Sequence, residues 1–315
     1  MPKSDFAKSS YKRNESHFEA YARGGPKEAM AKSWLNAGTV DSWRHQRMYM
    51  SIDPLLLCYP GGKWLTVGDG RYGNDAHYIQ QKGINALATD ISVFLLKEAK
   101  EIGYIADWRK ENAESLSFSD EEFDFVLCKE SYHHFPRPMV ALYEMIRVAK
   151  KGVVLIEPND SEIISRTNIG LLLWILRIKH ICKNLIKGIL GKETYDNFGG
   201  YEPAGGGNYL YTISEREIEK VALGLNLEVV AFKGLNDCYI EGVEYEKLRD
   251  KSELYRKVKT SVEKADRWCK FGIQCYGLLV AIIFKESPLG ECIQALKNNN
   301  FKVVQLPKNP GVRES

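Results

Sequence analysis

Paired cysteines, long apolar runs and a charge excess are all missing from this chain, and each absence removes a class of protein. The seven cysteines (Cys58, Cys128, Cys182, Cys238, Cys269, Cys275 and Cys292) are odd in number and form no C-x-x-C pair. A disulfide framework or a zinc site is therefore not expected. Most of these cysteines have apolar neighbours and read as small buried hydrophobes. No run of about 18 apolar residues occurs, so no transmembrane helix is expected. The stretch Met1 to Arg13 is polar and basic without an apolar core, unlike a secretory signal. Forty-four basic residues stand against forty-one acidic ones, a net charge of +3. That balance gives no reason to expect nucleic acid. The expected compartment is a reducing cytoplasm. No internal repeat and no long low-complexity tract is found.

What remains is a chain of 315 residues, 44% hydrophobic and 27% charged. This suffices for one large domain, or one domain with a substantial insertion. Residues 1–60 read as a helical cap segment rich in Tyr, Trp and Arg. From Lys63 short apolar runs alternate with amphipathic stretches, the βαβ signature of a mostly parallel sheet. Strands are expected at Trp64 to Val67, Ala86 to Thr89, Phe123 to Cys128 and Val153 to Ile156. Ser92 is a candidate cap for the helix that follows Asp90. Residues 159–212 interrupt the alternation as an inserted lid. Residues 213–286 return to the fold, with Ser214 and Glu217 as a capping box. Their late strands are expected at Leu227 to Phe232 and Leu278 to Phe284. Residues 287–315 read as a C-terminal extension with a helix and a strand at Phe301 to Gln305. The expected fold class is α/β: a Rossmann-like doubly wound sheet, mostly parallel, with a helical N-terminal segment and an inserted lid.

The loop Val67-Gly68-Asp69-Gly70-Arg71-Tyr72-Gly73 follows a strand and precedes a helix. Glycines serve such a turn twice: they accept unusual dihedrals, and they let a ligand approach the backbone. Many glycine loops are only turns, so context decides. Asp90 ends the second strand about 20 residues further on, where a carboxylate can accept from both hydroxyls of a ribose. The alternative for Asp90 is a helix N-cap.

Four features stand in order from Gly61 to Pro158: the glycine loop, Asp90, "NAESLSF", and "FDFVLCKESYHHF" followed by "MIRVAKKGVVLIEP". In this segment the chain resembles the class I S-adenosylmethionine-dependent methyltransferases, especially those with a methyltransferase 11-type domain. The wider sequence resembles methyltransferases of bacterial glycan biosynthesis. The resemblance implies S-adenosylmethionine as cofactor. It implies that Gly68 and Gly70, with Asp69 beside them, pack against its amino-acid part, and that Asp90 holds its ribose. It further implies that Asn112 and Ala113 border the adenine, and that Ser131 and His133 line the methyl end. Two departures stand out: Thr66 occupies a place where the family usually has an acid, and the third loop glycine comes one residue late.

Methyl transfer to a hydroxyl needs alignment and the removal of a proton, a task suited to imidazole. His133 and His134 follow a strand end on the ligand-binding side of the fold, and Glu157 ends the next strand. All three are candidates for the base; the alternative is that the histidines only cap a helix and pack on the cofactor. Adjacent histidines without partners of known spacing make no metal site. In the insertion, the apolar run Ile169 to Leu176 precedes Arg177, Lys179, His180, Lys183 and Lys187. The 169–190 stretch reads as a basic amphipathic helix that would fit a cap, a dimer interface or a peripheral contact with the inner membrane. The glycine-rich segment carrying Tyr201, Tyr209 and Tyr211 is expected to close over a substrate. Trp34, Trp43, Tyr49, Arg44, His45 and Arg47 are expected to add to this lid. The expected activity is O-methylation of a sugar or glycan-type acceptor in bacterial surface polysaccharide biosynthesis. A lipid or secondary metabolite as acceptor, a non-catalytic cofactor-binding module and a nicotinamide oxidoreductase are the alternatives.

Overall fold

The computed structural model describes residues 5–160, 201–202, 208–249 and 251–311. The 169–190 stretch and most of the 159–212 lid expected from the sequence lie outside the described residues.

Four short helices come first: α1 (Asp5–Glu19), α2 (Glu28–Ser33), α3 (Val40–Tyr49) and α4 (Asp53–Cys58). The alternating part then runs β1 (Trp64–Val67), α5 (Asn74–Gln80), β2 (Ala86–Asp90), α6 (Phe94–Glu101), β3 (Trp108–Lys110) and β4 (Phe123–Lys129). A single 3-10 turn, Tyr132–His134, leads to α7 (Pro138–Val148) and β5 (Ala149–Pro158). After a small ribbon, β6 (Tyr201–Glu202) with β7 (Asn208–Tyr209), come α8 (Glu215–Gly224), β8 (Val229–Leu235) and α9 (Glu253–Lys270). The chain continues through β9 (Leu278–Phe284), α10 (Gly290–Asn298) and β10 (Lys302–Gln305).

Eight strands form one sheet in the order β10-β8-β9-β5-β4-β1-β2-β3. The five from β3 to β5 are parallel, while β9 runs antiparallel to both β5 and β8. β1 buries all four residues because helices cover both faces, so its pattern is a continuous apolar run rather than an alternation. Successive side chains still divide between the two cores. Trp64 stacks on Phe125 (centroids 4.9 Å apart) in the core beneath α5, α6 and α10. Leu65 and Val67 enter the opposite core with α7 and α8. The strand order reverses between β1 and β4, and a doubly wound sheet places its ligand crevice at such a switch point.

Three local expectations change. Ser92 is no cap: α6 begins two residues later, and Ser92 N donates to Asp90 Oδ1 at 2.7 Å. Trp108–Lys110 is an edge strand that the sequence did not announce, because it has three residues and two are exposed. β5 is longer than its apolar stretch, since pairing with β4 and β9 carries it over polar residues at both ends. Ser214 Oγ does accept from Glu217 N (3.2 Å) at the start of α8. Ser214→Ala is expected to cost about 1 kcal/mol of stability, as loss of an N-cap does. A denaturant midpoint unchanged within error would refute that role.

Candidate active site

A cavity of about 490 Å³ sits at the carboxyl ends of β1, β2 and β4. Its floor is the glycine loop. Gly68 has φ +78°, and a Cβ there would lie 2.4 Å from Ser131 Cβ. The close approach is fixed by Ser131 Oγ donating to Gly68 O at 2.6 Å, which stitches the loop after β4 to the loop after β1. At Gly70 a Cβ would lie 2.9 Å from Asp90 Oδ2. Gly70 is thus required by the carboxylate that it faces.

Asp90 is buried at the cavity wall. Burial pushes its carboxyl up to about 7, against the pull of the backbone N–H groups of Ser92, Gly70 and Ile91. An acceptor-only carboxylate held by backbone at a cavity wall fits a pair of hydroxyls. Asn112 and Ala113 lie on the same wall, where Asn112 Oδ1 accepts from Glu114 N at 3.0 Å. Helix α1 covers this end through Tyr11, Asn14 and Phe18. The Tyr11 hydroxyl is pushed up to about 12 by burial and by Glu114.

Asp69 is buried and turned towards the fold. Its carboxylate accepts from Thr66 Oγ1 (2.8 Å), Asp75 N (3.1 Å) and Ala76 N (2.9 Å). Thr66 therefore faces a carboxylate instead of supplying one. The charge at this end of the cavity comes from elsewhere. Lys129 Nζ lies 3.6 Å from Asp75 Oδ1, 3.1 Å from Glu130 Oε2 and 3.3 Å from His45 Nδ1. Burial works against the Lys129 charge, but Asp75 and Glu130 outweigh it and raise its pKa. Burial likewise opposes the charge of Glu130, yet Lys129 and His45 hold its carboxyl well below the usual range. Arg71 stacks 4.2 Å over the Trp34 ring and reaches Asp41 Oδ2 at 3.5 Å. Its Nε is buried with no hydrogen-bond partner among the described residues. Interleaved cations and carboxylates suit a zwitterion, such as an amino-acid group carrying both an ammonium and a carboxylate. Glycine cradle, buried wall carboxylate and the wall of interleaved charges together fit S-adenosylmethionine.

His133 and His134 both line the cavity, their rings 4.0 Å apart. His133 Nδ1 meets Glu157 Oε2 at 2.5 Å. Glu157 is fully buried, and its other oxygen accepts from Ser131 N (2.9 Å) and Tyr132 N (3.0 Å). Glu157 lies behind His133 and does not reach the cavity, so it positions the imidazole rather than touching an acceptor. With Nδ1 assigned as the donor to the carboxylate, Nε2 is the basic nitrogen.

The tyrosines expected at the acceptor divide. Tyr201 and Tyr209 pair in register across β6 and β7, and the ribbon lies against the 3-10 turn of the histidines. Their side chains lie outside the described residues. Tyr211 N donates to His133 O (3.1 Å), and its side chain is not in the cavity wall. Of the N-terminal group, Trp34, His45 and Tyr49 line the cavity. Trp43 packs on Tyr255, Arg44 pairs with Asp237 and Asp41, and Arg47 donates to Asn236 O. Lys129, Asp75, Glu130 and Tyr11 were not among the expected site residues. One sequence signal pointed to them: a lysine closing an otherwise apolar buried strand needs a partner. Among the described residues no group of His, Cys, Asp and Glu is arranged to hold a metal ion.

Residues 65–156 match the family model described as a methyltransferase domain. This segment is a methyltransferase domain. A demethylmenaquinone methyltransferase of Renibacterium salmoninarum is 29% identical over 131 residues, 42% of this chain and 53% of that protein. A 2-methyl-6-phytyl-1,4-hydroquinone methyltransferase of Synechocystis is 33% identical over 100 residues, 31% of each chain. The chain thus spans about half the length of the first relative and about a third of the second. Among solved structures, a chain from the complex of the Haloferax volcanii Trm112 methyltransferase activator with a methyltransferase superposes with a TM-score of 0.50. It is 12% identical and covers 88% of this chain and 99% of that one, a likeness of fold. The methyltransferase domain holds the glycine loop, Asp90 and the histidines. Glu157 stands one residue beyond the matched segment, and the N-terminal helices that roof the cavity precede it.

Proposed function

We propose that this chain is an O-methyltransferase that moves the methyl group of S-adenosylmethionine to a hydroxyl of a small acceptor docked against His133. The carrying observation is the His133–Glu157 pair at 2.5 Å on the wall of the cofactor cavity. Bound S-adenosylmethionine supplies an already activated sulfonium methyl, so the protein has to align and deprotonate. His133 Nε2 takes the hydroxyl proton as the acceptor oxygen is alkylated. Glu157 keeps the ring in the right tautomer and stabilises the imidazolium that forms, as the carboxylate of a catalytic triad does. Asp90 and the glycine cradle fix the nucleoside, and the Lys129–Asp75–Glu130 wall fixes the amino-acid end. Trp34 and Tyr49 from the N-terminal helices help to keep water from the reacting centre.

For the acceptor, the look of the wider sequence supports a sugar hydroxyl of a surface polysaccharide. A second reading is a quinone- or hydroquinone-type acceptor, favoured by the acceptors for which the two relatives are named. Calorimetry with S-adenosylmethionine and with a nicotinamide nucleotide tests the cofactor. Intact-mass measurement of sugar and hydroquinone acceptors, each incubated with enzyme and cofactor, tests the reaction through the gain of one CH2. Binding of the nicotinamide nucleotide alone would overturn the cofactor. Cofactor binding without a mass gain on either acceptor class would favour a non-catalytic module.

A further inference from the structure

Helix α9 is mostly a surface helix. Of its residues only Val258 and Val262 are buried. Its last turn and the following loop carry an exposed apolar group. Trp268 is 43% exposed, Phe271 74% and Ile273 39%. Gly272, at φ +67°, lets the chain reverse between the last two. An aromatic as exposed as Phe271, beside an exposed indole, has no role in the core of this chain.

The charges around this apex are largely of one sign. Lys264, Arg267 and Lys270 are all exposed, and Lys264 Nζ lies 4.9 Å over the Trp268 ring. Asp266 is turned inward, where it accepts from Asn236 Nδ2 (2.8 Å) and faces Arg47 (3.9 Å). Glu263 is the exposed acid of these turns. Three cations around three protruding apolar side chains match an anionic interface with an apolar interior. Basic side chains can meet headgroups while indole and phenyl rings enter the boundary below them.

The apex is tied to the end of β5 through the loop that follows it. The loop after it returns into β9, whose Leu278 pairs with Pro158, the residue after Glu157. Asn159 ties the two chains together, donating from N to Gly277 O (2.9 Å) and from Nδ2 to Tyr276 O (2.9 Å).

We propose that the apex formed by Trp268, Phe271 and Ile273, with Lys264, Arg267 and Lys270, docks this protein on an anionic lipid surface. The docking does not depend on the methyl-transfer reading. The probe is co-sedimentation with phosphatidylcholine vesicles, with and without phosphatidylglycerol. The wild-type chain is expected to bind only the anionic vesicles, and more weakly as salt rises. Trp268→Ser/Phe271→Ser/Ile273→Ser should weaken that binding by about tenfold or more. Lys264→Gln/Arg267→Gln/Lys270→Gln should weaken it by roughly a hundredfold and flatten its salt dependence. All six side chains are exposed, so unchanged thermal melting and cofactor affinity will show that the variants fold. Equal binding of all three proteins, or no wild-type binding to anionic vesicles, overturns the proposal. So does a dimer in analytical ultracentrifugation that dissociates in the apolar variant while the vesicles are ignored; the apex would then be a protein interface.

Discussion

His133→Gln is expected to lower the single-turnover rate at saturating cofactor by roughly 10²- to 10⁴-fold, the usual contribution of general-base assistance. The hydroxyl of an acceptor is a poor nucleophile until its proton leaves, and His133 lines the cavity with the buried carboxylate of Glu157 against its Nδ1. Glutamine keeps the size and some polarity but cannot take the proton. Cofactor affinity should change little, which separates a chemical role from a binding one. His134→Gln should have a much smaller effect, because the carboxylate contact belongs to His133. Glu157→Gln probes the positioning role. It keeps the shape but can present an amide N–H to Nδ1, which favours the wrong tautomer. Its rate should fall while cofactor affinity stays close to wild type, as a role in orienting the imidazole requires. Glu157 is buried among the donors Ser131 N, Tyr132 N and His133 Nδ1, so that variant should also lose stability, and thermal melting is read alongside the rate. If His133→Gln and His134→Gln both keep the wild-type rate and pH profile, no imidazole is the base and alignment carries the reaction.

That pair also shows where sequence reading stops. Strand ends were legible because strands buried on both faces write unbroken apolar runs: β1 and β9 fall where Trp64 to Val67 and Leu278 to Phe284 place them. The glycine loop and Asp90 were legible because a close approach leaves a residue type behind, and Gly70 against Asp90 is such a contact. His133 and Glu157 were each legible as strand-end residues on the ligand side of the sheet. Their contact was not, since it depends on β4 and β5 lying side by side in register, Lys129 opposite Ile156. The same holds for the charged wall. Lys129, Asp75 and His45 come from β4, α5 and α3, and only packing brings them within reach of one another. Asp69 lines the cavity as its place in the loop suggests, but its hydrogen bonds to Thr66 and the N-terminus of α5 were not legible, because they come from packing. Ser92 failed as a cap because Asp90 takes the local hydrogen bond first.

Asp90→Ala is expected to weaken cofactor binding by about 1.5–3 kcal/mol, the range for hydrogen bonds to a charged group. That is roughly a 10- to 150-fold rise in Kd. Asp90 differs from an ordinary surface carboxylate because burial lifts its pKa to about 7 in the free protein. The unfolded value is about 3.9, so the folded chain holds the extra proton between these limits. Stability contributed through Asp90 is therefore fully present below about pH 4 and is lost as the pH rises through about 7. Ribose hydroxyls reverse the preference, since they donate to the ionised carboxylate and lower its pKa. Cofactor affinity should consequently tighten by about tenfold between pH 6 and pH 8, with release of a proton on binding in the acidic part of the range. Titration calorimetry at each pH, in two buffers of different ionisation enthalpy, measures both quantities. Asp90→Asn should bind weakly at every pH, without the slope, and in the free state it should melt no lower than wild type at pH 8. A wild-type affinity independent of pH, or a slope that survives in Asp90→Asn, would assign the titrating group elsewhere. An Asp90→Ala variant that folds and binds as tightly as wild type would remove Asp90 from the cofactor site altogether.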